Sequence, residues 1–241
     1  MTRYAARGGA MAMSKAMRVV VPPHPLIAHW LTVLRDRATP APLLLTALEE
    51  LGHWLCYEAL RDWLPHRPAS VETPLGTARG QVIDAGVPLM AIQVVQGGQE
   101  LWNGARRVLP MSRLVHVMAG SAPAGEAGDP ERQAWARMVA AQLPGRIDAR
   151  EGVMLLLPVI GSGALAQALL QGLAERGCSG RRVRLLTAIA CQPGLQALAE
   201  LWPDLTIHTA CIDPDCDEAD RPLPGVGDLP QRLYGLPARS S

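Results

Sequence analysis

Five short apolar runs, at residues 89–95, 114–118, 153–157, 183–189 and 206–212, are separated by stretches long enough to be helices. Such runs are apolar at successive positions rather than alternate ones, so they read as strands buried on both faces, the habit of parallel sheets. Parallel neighbours need crossover connections, and residues 100–109, 164–176 and 193–201 read as helices that supply them. The series predicts an α/β fold, a parallel sheet flanked by helices with right-handed crossovers. Upstream, Leu44, Leu48, Leu51 and Leu55 recur at steps of four, three and four, a helical stripe within residues 42–64. Pro65 and Pro68 are expected to stop it. Residues 70–75 and 80–83, joined by a turn containing Gly76, read as a hairpin.

Two stretches break this rhythm. Residues 119–130, rich in Gly, Ala and Pro, read as a mobile loop. The helix expected after it, residues 131–143, carries Trp135, either an interface anchor or a side chain packed on its own domain. Residues 216–227, rich in Pro, Gly and Asp, read as a loop over the sheet's edge.

Composition bounds the class. Of 241 residues, 49% are apolar and 19% charged, enough for a substantial core in a soluble globular protein. A net charge of +1 excludes a dedicated nucleic-acid binder, and no run approaches the roughly 18 apolar residues of a membrane span. Residues 1–18 are expected to be a disordered arm or a misplaced start, and residues 19–241 a single domain. The first residues carry Arg3, Arg7, Lys15 and Arg18 without an acid, which keeps an organelle transit segment open beside a cytoplasmic location. Cys56, Cys178, Cys191, Cys211 and Cys216 form no C-x-x-C pair and read as reduced thiols packed in the interior. With His208 and Asp213, Cys211 and Cys216 match no common zinc spacing, so no metal site is expected. His24, His29, His53 and His66 read as helix-surface or core-edge residues.

In an open α/β sheet the ligand lies beyond the carboxyl ends of the strands, where strand order reverses. The best candidate is the turn Gly161-Ser162-Gly163-Ala164, between a buried strand and a helix. Successive N–H groups there, the Ser162 hydroxyl and the helix dipole make a phosphate cradle; a purely structural turn is the alternative. The turn is neither a Walker A loop nor a dinucleotide fingerprint, and Ser162 does not sit in a nucleophile elbow.

Several ordered segments together resemble one family. They are His24-Pro25-Leu26-Ile27-Ala28-His29, Tyr57-Glu58-Ala59-Leu60-Arg61-Asp62, Glu72-Thr73-Pro74-Leu75-Gly76 and Val115-His116. Near the C-terminus come Ala210-Cys211-Ile212-Asp213, Pro224-Gly225-Val226-Gly227-Asp228 and Arg232-Leu233-Tyr234-Gly235. Over roughly residues 20–236 the chain resembles the uracil phosphoribosyltransferases. The resemblance implies a Rossmann-like phosphoribosyltransferase fold with a protruding β-arm at residues 70–83, and a homodimer. It implies the reaction of uracil with phosphoribosyl pyrophosphate (PRPP) to give UMP and pyrophosphate, in pyrimidine salvage, with Mg²⁺ accompanying PRPP.

In that family a strand-end Asp holds the ribose hydroxyls, an amide-rich loop the 5′-phosphate, and arginines the pyrophosphate. Here the Asp position holds Leu157, and the loop survives only as Ser162-Gly163-Ala164-Leu165. The arginine positions hold Gln96, ahead of Gly97-Gly98, and Ser121. The segment whose backbone holds uracil corresponds to Gly227-Asp228-Leu229, and Pro222 has lost an N–H donor. A hydrogen bond to a charged group is worth about 1.5–3 kcal/mol. Losing the Asp and two arginines thus removes on the order of 5–9 kcal/mol, about four to six powers of ten in rate. Nothing in the pattern aims Arg106, Arg107 or Arg113 at the pocket as replacements. The expectation is a homologue with reduced or lost catalysis and a binding, regulatory or assembly role; an active divergent enzyme is the alternative. Its expected ligands are uracil, PRPP or UMP, held by Gly161, Ser162, Gly163, Ala164, Gly227, Asp228 and Leu229. An unidentified protein partner is also expected.

Overall fold

The structure, a computed structural model, describes residues 16–95, 97–109, 111–125 and 128–235; Gln96, Leu236 and most of the expected N-terminal arm lie outside them. The N-terminal part comprises β1 (Arg18–Val20), α1 (Pro25–Arg35), α2 (Ala41–Leu60) and the hairpin strands β2 (His66–Thr73) and β3 (Gly76–Ile83). There follow β4 (Leu89–Val94), α3 (Gly98–Ala105), β5 (Arg113–Val117), α4 (Pro130–Ala141), β6 (Gly152–Leu156) and β7 (Val159–Ile160). The chain closes with α5 (Ala164–Glu175), β8 (Val183–Cys191), α6 (Gln192–Leu201), β9 (Thr206–Asp213), β10 (Asp215–Cys216), β11 (Pro222–Leu223) and α7 (Leu229–Tyr234).

The main sheet runs β1-β9-β8-β6-β4-β5, with β7 also on β8. Its pairings are parallel throughout. Strand alternation builds two cores. Met154 and Leu156 face the layer of α1, α2, α3 and α7, while Val153, Leu155 and Leu157 face α4, α5 and α6. Pro158 has no N–H for the ladder, so the chain leaves β8 briefly and rejoins it as β7, which splits one strand into two.

Each of the five expected strands forms, within two residues of its expected ends. Other elements differ from expectation for identifiable reasons. β1 has only three residues, too few to show a period, and it is held as an edge strand by β9. His24 caps α1, its Nδ1 accepting from the Leu26 N–H at 3.2 Å, so its place beside Pro25 serves the helix start. The arm is longer than residues 70–83: it spans β2 and β3 and turns at Pro74 and Leu75. Pro68 lies inside β2 rather than ending a helix, which an isolated two-stranded ribbon tolerates because both strands are edges. Residues 216–227 are not a plain loop over the sheet's edge, for β10 and β11 pair there and β11 packs on β8. Cys56, Cys178 and Cys191 are buried, but Cys211 and Cys216 only half so. Among the described residues no helix is long and apolar enough to cross a membrane.

Candidate functional site

The chain leaves β4 for β5 on one side and leaves the neighbouring β6 for β8 on the other, so the connections from this pair run in opposite directions. A crevice forms at the carboxyl ends of such a pair. There the structure has a cavity of about 420 Å³, walled by Val94 and Val95, Leu157 to Gly161, the start of α5, residues 119–122 and Ala124. Residues 218–222 and 227–230 complete it. Gly161, Gly163 and Ala164 on one side thus meet Gly227, Asp228 and Leu229 on the other. Ser162 turns its hydroxyl back to accept from the Ala164 N–H at 3.4 Å, and its own N–H donates to the Asp220 carboxylate.

The seam between these walls is tight. Gly97 has φ +104°, and a Cβ there would lie 2.8 Å from Pro158 Cβ and 3.0 Å from a Leu229 methyl, so only glycine fits. Tyr234 ties α7 to α3, its hydroxyl donating to the buried Glu100 carboxylate at 2.5 Å. Burial, then the Glu100 bond, raises the Tyr234 hydroxyl above its ordinary range.

The segment leading to Gly227 is anchored from beneath. Asp213 accepts from Arg35 (2.5 and 3.2 Å) and from the Gly225 N–H at 2.8 Å, and Arg35 also donates to the Gly225 carbonyl at 2.9 Å. Arg232 donates to the Leu34 and Val226 carbonyls, each at 2.8 Å. Asp228 caps α7 by accepting from the Gln231 N–H at 2.9 Å. At the opposite rim, Gln142 of the turn after α4 accepts from Met118 N–H and donates to Met118 C=O, both at 2.8 Å. The loop expected to be mobile is therefore tied where it begins.

The cavity's charge is its chief chemical feature. Among the described lining residues Arg221 is the one Lys, Arg or His, against Glu218, Asp220 and Asp228. Arg221 is itself engaged, since its Nε and a terminal nitrogen lie 2.8 and 2.7 Å from Asp217. That contact holds the Asp217 carboxyl below its ordinary range. Leu157 is 1% exposed at the cavity floor, and Ser121 lies on the wall. Arg107 pairs with Glu49 and Glu50, and Arg113 with Glu151; with Arg106 they lie off the cavity. Trp135 packs on the core of its own domain. His208, on β9 and not among the cavity's lining residues, is driven down to about 4, chiefly by burial and then by Arg184 and Arg18.

Sequence reasoning missed Asp220 and Arg221. Their signal was position, since the loop holding them joins Asp213 to Pro224–Asp228, two segments of the resemblance that flank one site. Mg²⁺ takes hard oxygen donors in near-octahedral array. Among the described residues no three His, Cys, Asp or Glu side chains converge to hold a metal.

Comparison with known proteins agrees with this geometry. A sequence model described as uracil phosphoribosyltransferase matches residues 21–236. The chain is 39% identical over 225 residues to a uracil phosphoribosyltransferase of Synechococcus elongatus, covering 93% of this chain and all (100%) of that one. It is 35% identical over 234 residues to a chloroplastic uracil phosphoribosyltransferase of Arabidopsis thaliana, covering 97% and 76%. A solved protein structure from Aquifex aeolicus superposes with a TM-score of 0.71 at 24% identity, over 90% of this chain and 98% of that one. The fold is thus the mostly parallel α/β sheet expected, and the chain belongs to the uracil phosphoribosyltransferase family.

Proposed function

We propose that this chain keeps the family's ligand cavity while phosphoribosyl transfer from PRPP to uracil is reduced or lost. What remains is a binding, regulatory or assembly role in pyrimidine salvage, in the cytoplasm. The observation that carries this reading is the charge of the cavity's lining residues: three are acidic, and the one described cation is engaged by Asp217. PRPP is a polyanion, and its transfer passes through an oxocarbenium-like state with pyrophosphate leaving. Catalysis there is mostly positioning and stabilisation of developing negative charge. Leu157 supplies no side-chain hydrogen bond to a ribose hydroxyl, and a lining whose charged residues are mostly acidic disfavours the leaving pyrophosphate. Gly161, Gly163, Ala164, Gly227, Asp228 and Leu229 form the ligand contacts in this reading, and Ser162, whose N–H is engaged by Asp220, borders them. In this reading any Mg²⁺ arrives on the phosphates of PRPP, since the described side chains form no cage for it.

The same reading makes the chain a homodimer through the β2–β3 arm. A lone two-stranded ribbon is marginal in water, and this one leaves Val71, Leu75, Val82 and Ile83 exposed. Calorimetric titration tests the binding part. PRPP with Mg²⁺ is expected to bind no tighter than the millimolar range, and micromolar binding would overturn the proposal.

A further inference from the structure

The amide cradle already holds an anion, and that anion belongs to the chain. Asp220, from the loop between β10 and β11, accepts the Ser162 N–H on Oδ1. Its approach to Gly161 is close enough that a Cβ there would lie 2.7 Å from Asp220 Cγ, so the glycine is what admits the carboxylate. The loop is built to present it. Asp217 accepts from the N–H groups of Ala219 at 3.0 Å and Arg221 at 2.9 Å, and Asp220 N–H donates to Asp217 C=O at 2.9 Å. These bonds hold Asp220 at φ +64°, a left-handed conformation that Asp and Asn tolerate better than other side chains. Asp220 makes no ion pair among the described residues, and the neighbouring guanidinium of Arg221 is turned to Asp217.

We propose that Asp220 is a specificity-determining residue, a resident anion that occupies the cradle and sets the cavity against phosphate-bearing ligands in favour of an uncharged base or nucleoside. The inference rests on the reading that this cavity is the family's ligand site, and it names the class of ligand admitted. A phosphate approaching Ser162 N–H has either to displace the carboxylate, losing a charge-assisted hydrogen bond, or to bind beside an unneutralised charge. An uncharged pyrimidine meets neither obstacle.

The test is equilibrium titration of the full chain with ribose 5-phosphate and, separately, with uracil. Asp220→Asn keeps the left-handed conformation and removes the charge, and Asp220→Gly also empties the cradle. The expected result is a ten- to hundredfold gain in ribose 5-phosphate affinity in both variants, with uracil affinity changed less than twofold. Unchanged or weakened ribose 5-phosphate binding overturns the proposal, as does an equal gain for uracil, which would mean the loop had merely opened. Because the readout compares variants without turnover, its failure is separable from failure of the proposed function, which an active wild-type chain would bring.

Discussion

At the carboxyl end of β9, Asp213 is 4% exposed by side chain and fully employed, gripping Arg35 and the Gly225 N–H. At the corresponding end of β6, Leu157 is equally buried but apolar, packed with Ile160 and α5 residues against the cavity floor. The two strands end at the same side of one sheet, two places apart in its order. The resemblance puts an acid at both ends, and only one is kept. Asp213 holds backbone in place, whereas on the proposed reading an acid at the position of Leu157 would face a ligand. The same division separates Arg232, spent on carbonyls of Leu34 and Val226, from Ser121 on the cavity wall. On the proposed reading, residues that build the chain are kept where residues that would serve PRPP are not.

The comparison breaks if Asp213 proves dispensable. Asp213→Ala leaves a partly buried guanidinium without its carboxylate partner and the Gly225 N–H without its acceptor, and is expected to cost about 3–5 kcal/mol in denaturant unfolding. A loss below about 1 kcal/mol would remove the contrast between the strand ends. Leu157→Ala addresses the other end, where a buried aliphatic side chain should cost about 3 kcal/mol by the same measurement. A negligible cost would mean that Leu157 does not pack.

β9 differs from β6 in a further way, because it buries His208 in its neutral form. Its folded value of about 4 lies below the ordinary 6.5, so the unfolded chain binds the proton more readily. The stability held by the neutral ring is complete above about pH 6.5 and is lost as pH falls toward 4, by about 2–3 kcal/mol. His208→Gln should flatten that slope in unfolding measured across the window, and an unchanged slope would assign it to other groups. The smallest effect is expected at the arm. Leu75 is fully exposed at the hairpin turn, so Leu75→Ser should change the stability of the isolated chain by less than about 0.5 kcal/mol. In sedimentation it should weaken self-association, and an unaltered association constant would place the dimer contact elsewhere.

Sequence pattern exposed much of this fold because its strands are buried on both faces. Leu89 to Val94 and Val153 to Leu157 are apolar at every step but Gln93, a signal that survives without alignment. One wall of the cavity was legible too, since Gly161 to Ala164 sits where a strand gives way to a helix. What stayed hidden depends on long-range pairing. Asp220 meets Ser162 across 58 residues only because the two-residue strands β10 and β11 fold the intervening loop back over the cavity. No local period marks strands that short. The Arg221 side chain was equally invisible, because its partner Asp217 is fixed by the same turn.

The most direct test is a side-by-side measurement of kcat/KM for UMP formation from labelled uracil, with PRPP and Mg²⁺ varied to several millimolar. The reference is the Synechococcus elongatus relative, assayed in the same buffer. A value at least about four powers of ten below that relative is expected from the missing acid and arginines. A value within about tenfold of it would contradict the claim that the scaffold has outlasted the chemistry.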